Sequence, residues 1–357
     1  MRIIHVLGEL KHSGAEMMLK TGAEGCQRSH DLFLISTGAK VGDFSHFLRN
    51  AGYEIFHAPF SKSIKHFRDV CKIIRMVNPD VVHLHTERAA LLYSMAAALC
   101  GKPSVRSIHN EFEFHGFLRF RRILTRAFSR LLGTTQISCS PSVKRMEKRL
   151  FYNPTITVDN WANVPTDFLQ MIGEANCANN GTLRFISIAN ESPAKNLKAL
   201  FDGILLARKE GSDVSLIHCG SVGQELSQIS SSSGGSIRVV GTVDNVFEYL
   251  SCSDAYVCTS LNEGGPLSLI EAASCGIYCM TTMVGLAERL EPLEAVIIIQ
   301  PTARSLADAI HKFLLIPSDI RTENAKRLRE YTRRRFNARR GAKMFGIIYE
   351  KRLRGES

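Results

Sequence analysis

Ala255-Tyr256-Val257-Cys258-Thr259-Ser260-Leu261-Asn262-Glu263-Gly264-Gly265-Pro266-Leu267-Ser268-Leu269-Ile270-Glu271 passes from a short apolar strand through a tight loop into the first turns of a helix. The run Ala255–Thr259 suits a strand buried on both faces, and Pro266 suits the first residue of a helix. Gly264 and Gly265 let backbone come close to a ligand. The amides of Gly265, Leu267 and Ser268 then point outward at a helix N-terminus, where a phosphate is favoured. Glu263 stands at the strand exit. Glu271 lies further along the helix, where a carboxylate repels phosphate but accepts hydrogen bonds from ribose hydroxyls. Phosphate cradle, hydroxyl acceptor and a second carboxylate facing a sugar together describe a nucleotide-sugar site.

Outward from this stretch, short apolar strands alternate with helices, the pattern of βαβ units and a parallel sheet. The C-terminal half reads as strands at Leu183–Ile188, Val214–Cys219, Ile237–Val240, Tyr278–Thr281 and Ala295–Ile299. Its helices are Asn196–Arg208, Val246–Cys252, Pro266–Ser274 and Ser305–Leu314. The N-terminal half reads as strands at Arg2–Leu7, Asp31–Ser36, Tyr53–Ala58, Val81–Leu84, Pro103–Ile108 and Thr135–Ser138, again separated by helices. Residues 163–182 hold Pro, Gly and several Asn without a sustained period and read as a linker. The 357 residues suit two domains of ~150 each. The expected fold is therefore α/β: two Rossmann-like doubly wound parallel-sheet domains, 1–165 and 180–330. Ligands are expected in a cleft between them, beyond the carboxyl ends of the strands.

Three further segments fit such a site. Ser187-Ile188-Ala189-Asn190-Glu191-Ser192-Pro193-Ala194-Lys195-Asn196 ends a strand and starts a helix, bringing Lys195 forward as a point charge for phosphate. Gly8 and His12-Ser13-Gly14-Ala15-Glu16 form the loop after the first strand, where Gly14 lets a phosphate or sugar approach a helix start. Glu16 also suits the first helical turn on dipole grounds alone. Ser107-Ile108-His109-Asn110 ends the fifth strand with an imidazole, and Val82-His83-Leu84-His85 supplies two more with a supporting role.

Hydrophobic residues make up 45% and charged residues 22%, which excludes a disordered or fibrous chain. The net charge of +11 is uneven: 102–150 carries +8, 321–357 carries +9, and the remainder is −6. Two basic segments on an acidic body imply an acidic partner. In the first, Phe117, Phe120, Leu124, Phe128 and Leu131 recur at helical spacing, and Arg119, Arg122, Arg126 and Arg130 form a stripe on another face. Such a helix either packs its apolar side on the core or lies on anionic lipid. The second, Arg321 to Arg354, reads as helix with Phe336, Met344, Phe345, Ile348 and Tyr349 on its apolar side. Neither segment interleaves stacking aromatics as a nucleic-acid site would. The ten cysteines form no C-x-x-C pair and are expected to be reduced core residues, with no structural zinc. No secretory signal is read at Met1–Leu7, and Ala89–Cys100 is too short to span a bilayer, so a cytoplasmic or peripheral protein is expected.

Taken together, the Gly-Ala-Glu loop, Val82-His83-Leu84-His85 and the Glu-x7-Glu element Glu263 to Glu271 resemble a retaining glycosyltransferase of family 4, with the GT-B fold. The resemblance covers nearly the whole chain, and in the tail Arg335–Tyr349 is similar to the family's last helix. The resemblance implies a C-terminal helix, 335–357, packing back on the N-terminal, acceptor-side domain. It also implies transfer of a sugar from a nucleotide diphosphate with retention and without a metal. Glu263 would contact the transferred sugar, Glu271 would hold the ribose, and Lys195 would stabilise the departing diphosphate. His109 would sit near the sugar hydroxymethyl and the anomeric centre. Gly264, Gly265, Pro266, Leu267, Asn190, Ser13 and Gly14 would complete the donor site.

Two positions depart from the family pattern. Asn190 stands where the family has an Arg five residues before the Lys, and Ser13-Gly14 replaces Gly-Gly. These changes allow a weaker enzyme, an altered donor, or a substitute cation, for which Arg106 and Arg289 are candidates. The expected donor is a UDP-sugar, with a GDP-sugar as the alternative. The expected acceptor is a saccharide, lipid-linked in surface polysaccharide or glycoconjugate assembly, with the helix 117–132 on an anionic membrane surface. Two other readings stay open: a sugar-nucleotide epimerase of the same architecture, and a non-catalytic transferase-like subunit.

Overall fold

The computed structural model describes residues 1–25, 30–111, 113–165, 167–168 and 182–356; of the linker read at 163–182, residues 166 and 169–181 lie outside the described residues. The chain divides into two compact units, Met1–Trp161 with Asn337–Ser357, and Ala162–Phe336. Each is built on one parallel sheet.

In the first unit, β1 (Arg2–Leu7), β2 (Asp31–Ser36), β3 (Tyr53–His57), β4 (Val81–Leu84), β5 (Ser104–Ile108), β6 (Thr135–Ser138) and β7 (Ile156–Thr157) lie in the order β3-β2-β1-β4-β5-β6-β7. Between them run α1 (Gly14–Gly25), α2 (Ser45–Asn50), α3 (Ile64–Val77), α4 (Ala90–Leu99), α5 (Gly116–Leu131) and α6 (Pro141–Phe151). In the second unit, β8 (Leu183–Ile188), β9 (Val214–Cys219), β10 (Ile237–Gly241), β11 (Ala255–Cys258), β12 (Tyr278–Thr281) and β13 (Val296–Ile298) repeat that order as β10-β9-β8-β11-β12-β13. Its helices are α7 (Leu197–Lys209), α8 (Gln224–Ser232), α9 (Val246–Leu250), α10 (Leu267–Cys275), α11 (Ala287–Leu290), α12 (Ala303–Leu314) and α13 (Ser318–Arg335). The last helix, α14 (Ala338–Leu353), belongs to the first unit and packs on α1.

The central strands are apolar on both faces: Ile3, Ile4, Val6 and Leu7 in β1, and all of Ala255–Cys258, are buried. Both faces are covered by helices, as parallel pairing demands. Strand order reverses between β1 and β4 in one unit and between β8 and β11 in the other. Such reversals open a crevice beyond the carboxyl ends of the flanking strands.

Several elements differ from the sequence reading. The tail is two helices, because the Asn337 side chain accepts from Arg340 N at 2.9 Å and caps a new one. α8, for which the sequence reading gave no helix, ends in serines: the hydroxyls of Ser231 and Ser232 bond back to the carbonyls of Ser227 and Gln228 at 3.0 and 2.9 Å. α6 and β7 carried no strong pattern. Among the described residues seven cysteines are free thiols, as expected, but Cys252 is disulfide-bonded. Among the described residues no helix is long and apolar enough to cross a membrane.

The largest departure is the facing of α5. Its arginine stripe points into the protein. Arg126 is fully buried and donates to both carboxylate oxygens of buried Glu147 at 2.7 Å, with its guanidinium 4.1 Å from the Phe151 ring centroid. Glu87 pairs with Arg106, with Arg122 at 3.3 Å and with Arg126 at 3.2 Å. Arg119 and Arg130 donate to the carbonyls of Leu150 and Tyr152 at 3.0 and 2.8 Å. An unpaired buried guanidinium would cost several kcal/mol, so these partners decide which face turns inward. The apolar face is left outside, which corrects the reading that packs the apolar side of this helix on the core. Arg106, offered as a substitute phosphate cation, is buried and held by Glu87.

α14 is seated by Trp161. Its indole Nε1–H donates to Thr21 Oγ1 at 3.0 Å on α1, and its ring meets Phe345 edge-on with centroids 5.8 Å apart. Gly341 lies flat against that ring, and a Cβ there would overlap it. Replacing a helical glycine by alanine ordinarily gains up to about 1 kcal/mol, whereas overpacking a rigid ring costs about 1–3 kcal/mol. Gly341→Ala is therefore expected to lower stability in urea titration. Gly346→Ala, in the same helix with open space around its Cβ, is expected to raise it.

Inside the first unit, histidines form a chain at the sheet's carboxyl edge. His5 Nδ1 lies 3.0 Å from His85 Nε2, and His85 Nδ1 lies 2.9 Å from His109 Nε2. His83 bonds Tyr349 OH at 2.6 Å and Ser107 Oγ at 2.8 Å. Burial holds all four neutral: it lowers His5 to about 3 and His109 to about 4, with Arg106 adding to the latter, and takes His83 and His85 well below 6.5. A lowered folded-state pKa contributes stability that is complete above about 6.5 and is lost as pH falls toward the folded value. Stability is expected to drop between pH 7 and pH 5, by up to about 1.4 kcal/mol per pH unit per histidine. Urea midpoints across that range should fall less steeply for His5→Gln than for the unaltered chain.

Candidate functional site

In the second unit, the loops leaving β8 and β11 flank the reversal of strand order, and they are laced together. Leu261 N donates to Ala194 O at 2.7 Å, Thr259 Oγ1 donates to Asn196 O at 3.0 Å, and Asn196 Nδ2 donates to Pro301 O at 3.0 Å and Thr259 O at 3.3 Å. Asn196 adopts φ +49°, a left-handed conformation that asparagine tolerates better than most residues. This kink ends the single 3-10 turn Pro193–Lys195 and starts α7. It also aims Lys195 at the β11 loop.

There Lys195 Nζ forms an ion pair with Glu263 Oε1, and Ser260 Oγ donates to the same oxygen at 3.1 Å. Glu263 is largely buried, with 12% of its side chain exposed, against 29% for Lys195. Two of the predicted site residues, 68 positions apart in sequence, are thus in direct contact. The pair is a cation poised at the surface and a carboxylate whose orientation is already set.

Gly264, Gly265 and Pro266 follow. Pro266 is the residue before α10 rather than its first, with φ −63° and ψ 117°, and Leu267 opens the helix. No side chain caps this end, and the first amides of any helix lack intrahelical partners. The turn is packed tightly from behind. Gly285, at φ +56°, would place a Cβ 2.7 Å from Pro266 Cδ and 2.9 Å from Gly265 Cα. Ser268 is tied to the sheet through the Tyr256 hydroxyl at 2.8 Å.

Glu271 sits one turn further along α10. Burial raises its pKa to about 7, so it is a carboxylate poised to ionise near neutrality. Asn190 is engaged elsewhere: its Oδ1 accepts from both Ser221 N and Ser221 Oγ at 3.0 Å, joining the β8 and β9 exit loops. The carboxylate of Glu191 accepts from Gly223 N ahead of α8. The amide thus braces loops at the position where the family has an arginine.

In the first unit, Ser13 donates its hydroxyl to buried Glu16, whose carboxylate also receives Lys11 N at 3.5 Å. Gly14 is the first residue of α1. His109 belongs to the histidine chain and lines a small apolar recess with His5, His83, His85, Met18, Leu19 and Phe345, among others. The ring nitrogens of His5, His83 and His85 lie within 4.8 Å of one another, a spacing that could hold a metal ion. An ion there would have to displace the 3.0 Å contact between His5 and His85, in a recess where apolar side chains give a cation little solvation.

The sequence reading missed Ser260, Asn196, Tyr256 and Gly285 in one unit, and His5 and Glu87 in the other. Only Asn196 had a local signal, an asparagine before a helical run. The rest act through partners remote in sequence.

Comparison with known proteins bears on the fold and the family. Residues 12–158 match the model described as Glycosyltransferase Family 4, and residues 182–315 match that of Glycosyl transferases group 1. The capsular polysaccharide biosynthesis glycosyltransferase CapH of Staphylococcus aureus is 22% identical over 288 residues, covering 76% of this chain and 78% of that one. Anabaena HepE, solved with UDP and glucose, superposes with a TM-score of 0.80 at 17% identity, over 98% of this chain and 100% of that one. A glycosyltransferase from Rickettsia africae superposes with a TM-score of 0.79 at 16% identity, over 99% of both chains. With family domains spanning both units and two sheets of the same strand order, this chain is a glycosyltransferase of the family 4 type, with the GT-B fold.

Proposed function

We propose that the chain transfers a sugar from a UDP-sugar to a saccharide acceptor, with retention of anomeric configuration and without a metal, in the assembly of a surface polysaccharide. The observation that carries this reading is the Lys195–Glu263 pair beside the uncapped start of α10, with Glu271 one turn on. HepE, a structural relative, is solved with UDP-glucose, and CapH is named for capsular polysaccharide biosynthesis. A GDP-sugar is the alternative donor. A lipid-linked acceptor, and a cytoplasmic protein peripheral at the inner face of the plasma membrane, complete the proposal.

In this reading the diphosphate lies at the amides of Leu267 and Ser268, where the helix dipole favours negative charge. Gly264, Gly265 and Pro266 shape its approach, and Lys195 turns from Glu263 toward it. Glu263, fixed by Ser260, orients a sugar hydroxyl, and Glu271 accepts from the ribose. The bond from anomeric carbon to phosphate oxygen breaks, and the acceptor oxygen bonds to that carbon on the same face. The acceptor's proton passes to the leaving phosphate oxygen, so the protein's contribution is charge stabilisation and orientation. His109 is assigned to the sugar near the anomeric centre, and Ser13 and Gly14 to the donor. Asn190 supplies no cation, which leaves Lys195, with Arg289 as the remaining candidate for a substitute cation, to carry the charge on the phosphate.

The test is product analysis with UDP-sugars and a saccharide acceptor. Transfer supports the reading; epimer formation or no turnover would replace it with the epimerase or the non-catalytic subunit. Lys195→Ala is expected to lower kcat by about 10²–10³, with a smaller change in KM. Glu271→Ala is expected to weaken UDP binding by about 10- to 100-fold, the loss of a charge-assisted hydrogen bond worth about 1.5–3 kcal/mol. A carboxylate accepts from ribose better once ionised, so UDP affinity should rise with pH through about 7. Calorimetry should show a flatter rise for Glu271→Gln, which keeps only the titration of UDP itself. The stability effect has the opposite sign. A raised folded pKa contributes stability present below the unfolded value and lost as pH rises through about 7, so at pH 8 unliganded Glu271→Gln should melt above the unaltered chain.

A further inference from the structure

We infer that the outward apolar face of α5, flanked by the cations of α6, is a docking surface for an anionic lipid bilayer, entered by the aromatic side chains and not by the arginine stripe. The inference deepens the peripheral placement proposed above and is independent of the donor assignment. Phe117 and Leu131 are 80% and 81% exposed, and Phe120, Leu124 and Phe128 between them are exposed as well. These five recur every three or four residues over the 16 residues of the helix, so they form one continuous stripe. A helix that offers Phe and Leu to water along its whole length, while turning four arginines inward, leaves a continuous apolar stripe uncovered.

The surroundings select the occupant. α5 packs between α4 and α6. The outward residues of α6 include Lys144, Lys148 and Arg149, and Arg121 is exposed on α5 itself. Of the nearby acids, Glu113 reaches Arg149 at 4.0 Å, while Glu87 and Glu147 are held by the inward arginines. On the other side, α4 exposes Met95 and Leu99, and Lys102 follows that helix. An apolar stripe with cations at its borders matches the two layers of a leaflet, acyl chains beneath anionic headgroups. A second copy fits less well, because a twofold contact through this stripe would bring both basic borders together.

The test is flotation of the full chain with vesicles of phosphatidylcholine alone or mixed with phosphatidylglycerol, without any sugar nucleotide. Binding to the mixed vesicles is expected, weakened but not abolished by salt. Phe117→Ser with Phe128→Ser should reduce partitioning by about tenfold or more, since both side chains are lost from the acyl layer. Phe120→Trp should shift its fluorescence to the blue on vesicle addition, a readout of insertion that needs no destabilising change. Three outcomes overturn the proposal: no flotation, flotation that salt abolishes with no blue shift, or a dimer that the double serine variant makes monomeric. UDP binding by the same preparations shows that each variant is folded. It also separates failure here from failure of the nucleotide reading, because UDP is assigned to the other unit.

Discussion

Parallel pairing is the constraint on which everything else in this protein depends. It sends every strand's carboxyl end to one edge of its sheet, and strand order reverses between β8 and β11, where sheets of this kind open a crevice for ligands. Lys195 and Glu263 meet because their strands lie on either side of that reversal. The side-chain lacing between the two exit loops, through Thr259 and Asn196, holds the loops close enough for a four-carbon stem to reach a carboxylate. Without the lacing, the same two residues would be a surface lysine and a surface glutamate.

The charged pair and the uncapped helix start have complementary electrostatic roles. In the proposed reading one supplies a cation at the surface, and the other supplies fixed amide dipoles that would need no reorganisation when a phosphate arrives. Glu271 adds a third kind of control. Its carboxyl is costly to ionise where it sits, so the site can gain a negative charge near neutral pH, and a hydroxyl-bearing ligand favours that form. Asn190 fits the same economy of charge: an arginine at that position would add a second cation, whereas the amide braces the adjoining loops.

The first unit shows the converse case, in which ion pairs decide a surface. Arg126 and Glu147 are buried together, and Glu87 collects three guanidinium groups. Such a network gains little over an apolar core, yet removing one partner is costly. Its consequence is therefore directional. It commits α5 to turn its arginines inward, and the phenylalanines and leucines are displaced to the outside.

Much of this was legible in the residues. The period of apolar runs marked most strands, because a strand buried on both faces must be apolar throughout. The Gly-Gly-Pro turn and the Glu-x7-Glu spacing marked the candidate site, because backbone approach and helical phase are local properties. What the chain could not show locally was which partners lie across space. A helical wheel defines two faces for 117–132, but inward and outward are decided by Glu87 and Glu147, the first some thirty positions before the helix and the second after it. The tail reads as one helix until packing of Trp161 and capping by Asn337 break it. The contact of Lys195 with Glu263 likewise exists only once the sheet is assembled. The sequence by itself determined most of the elements, their order and the residue types carried at the strand exits, since these follow from period, propensity and residue type. Only the tertiary structure decided which charges are paired, which pKa values shift and which face of α5 meets solvent, because those depend on distances between segments that sequence separation does not encode.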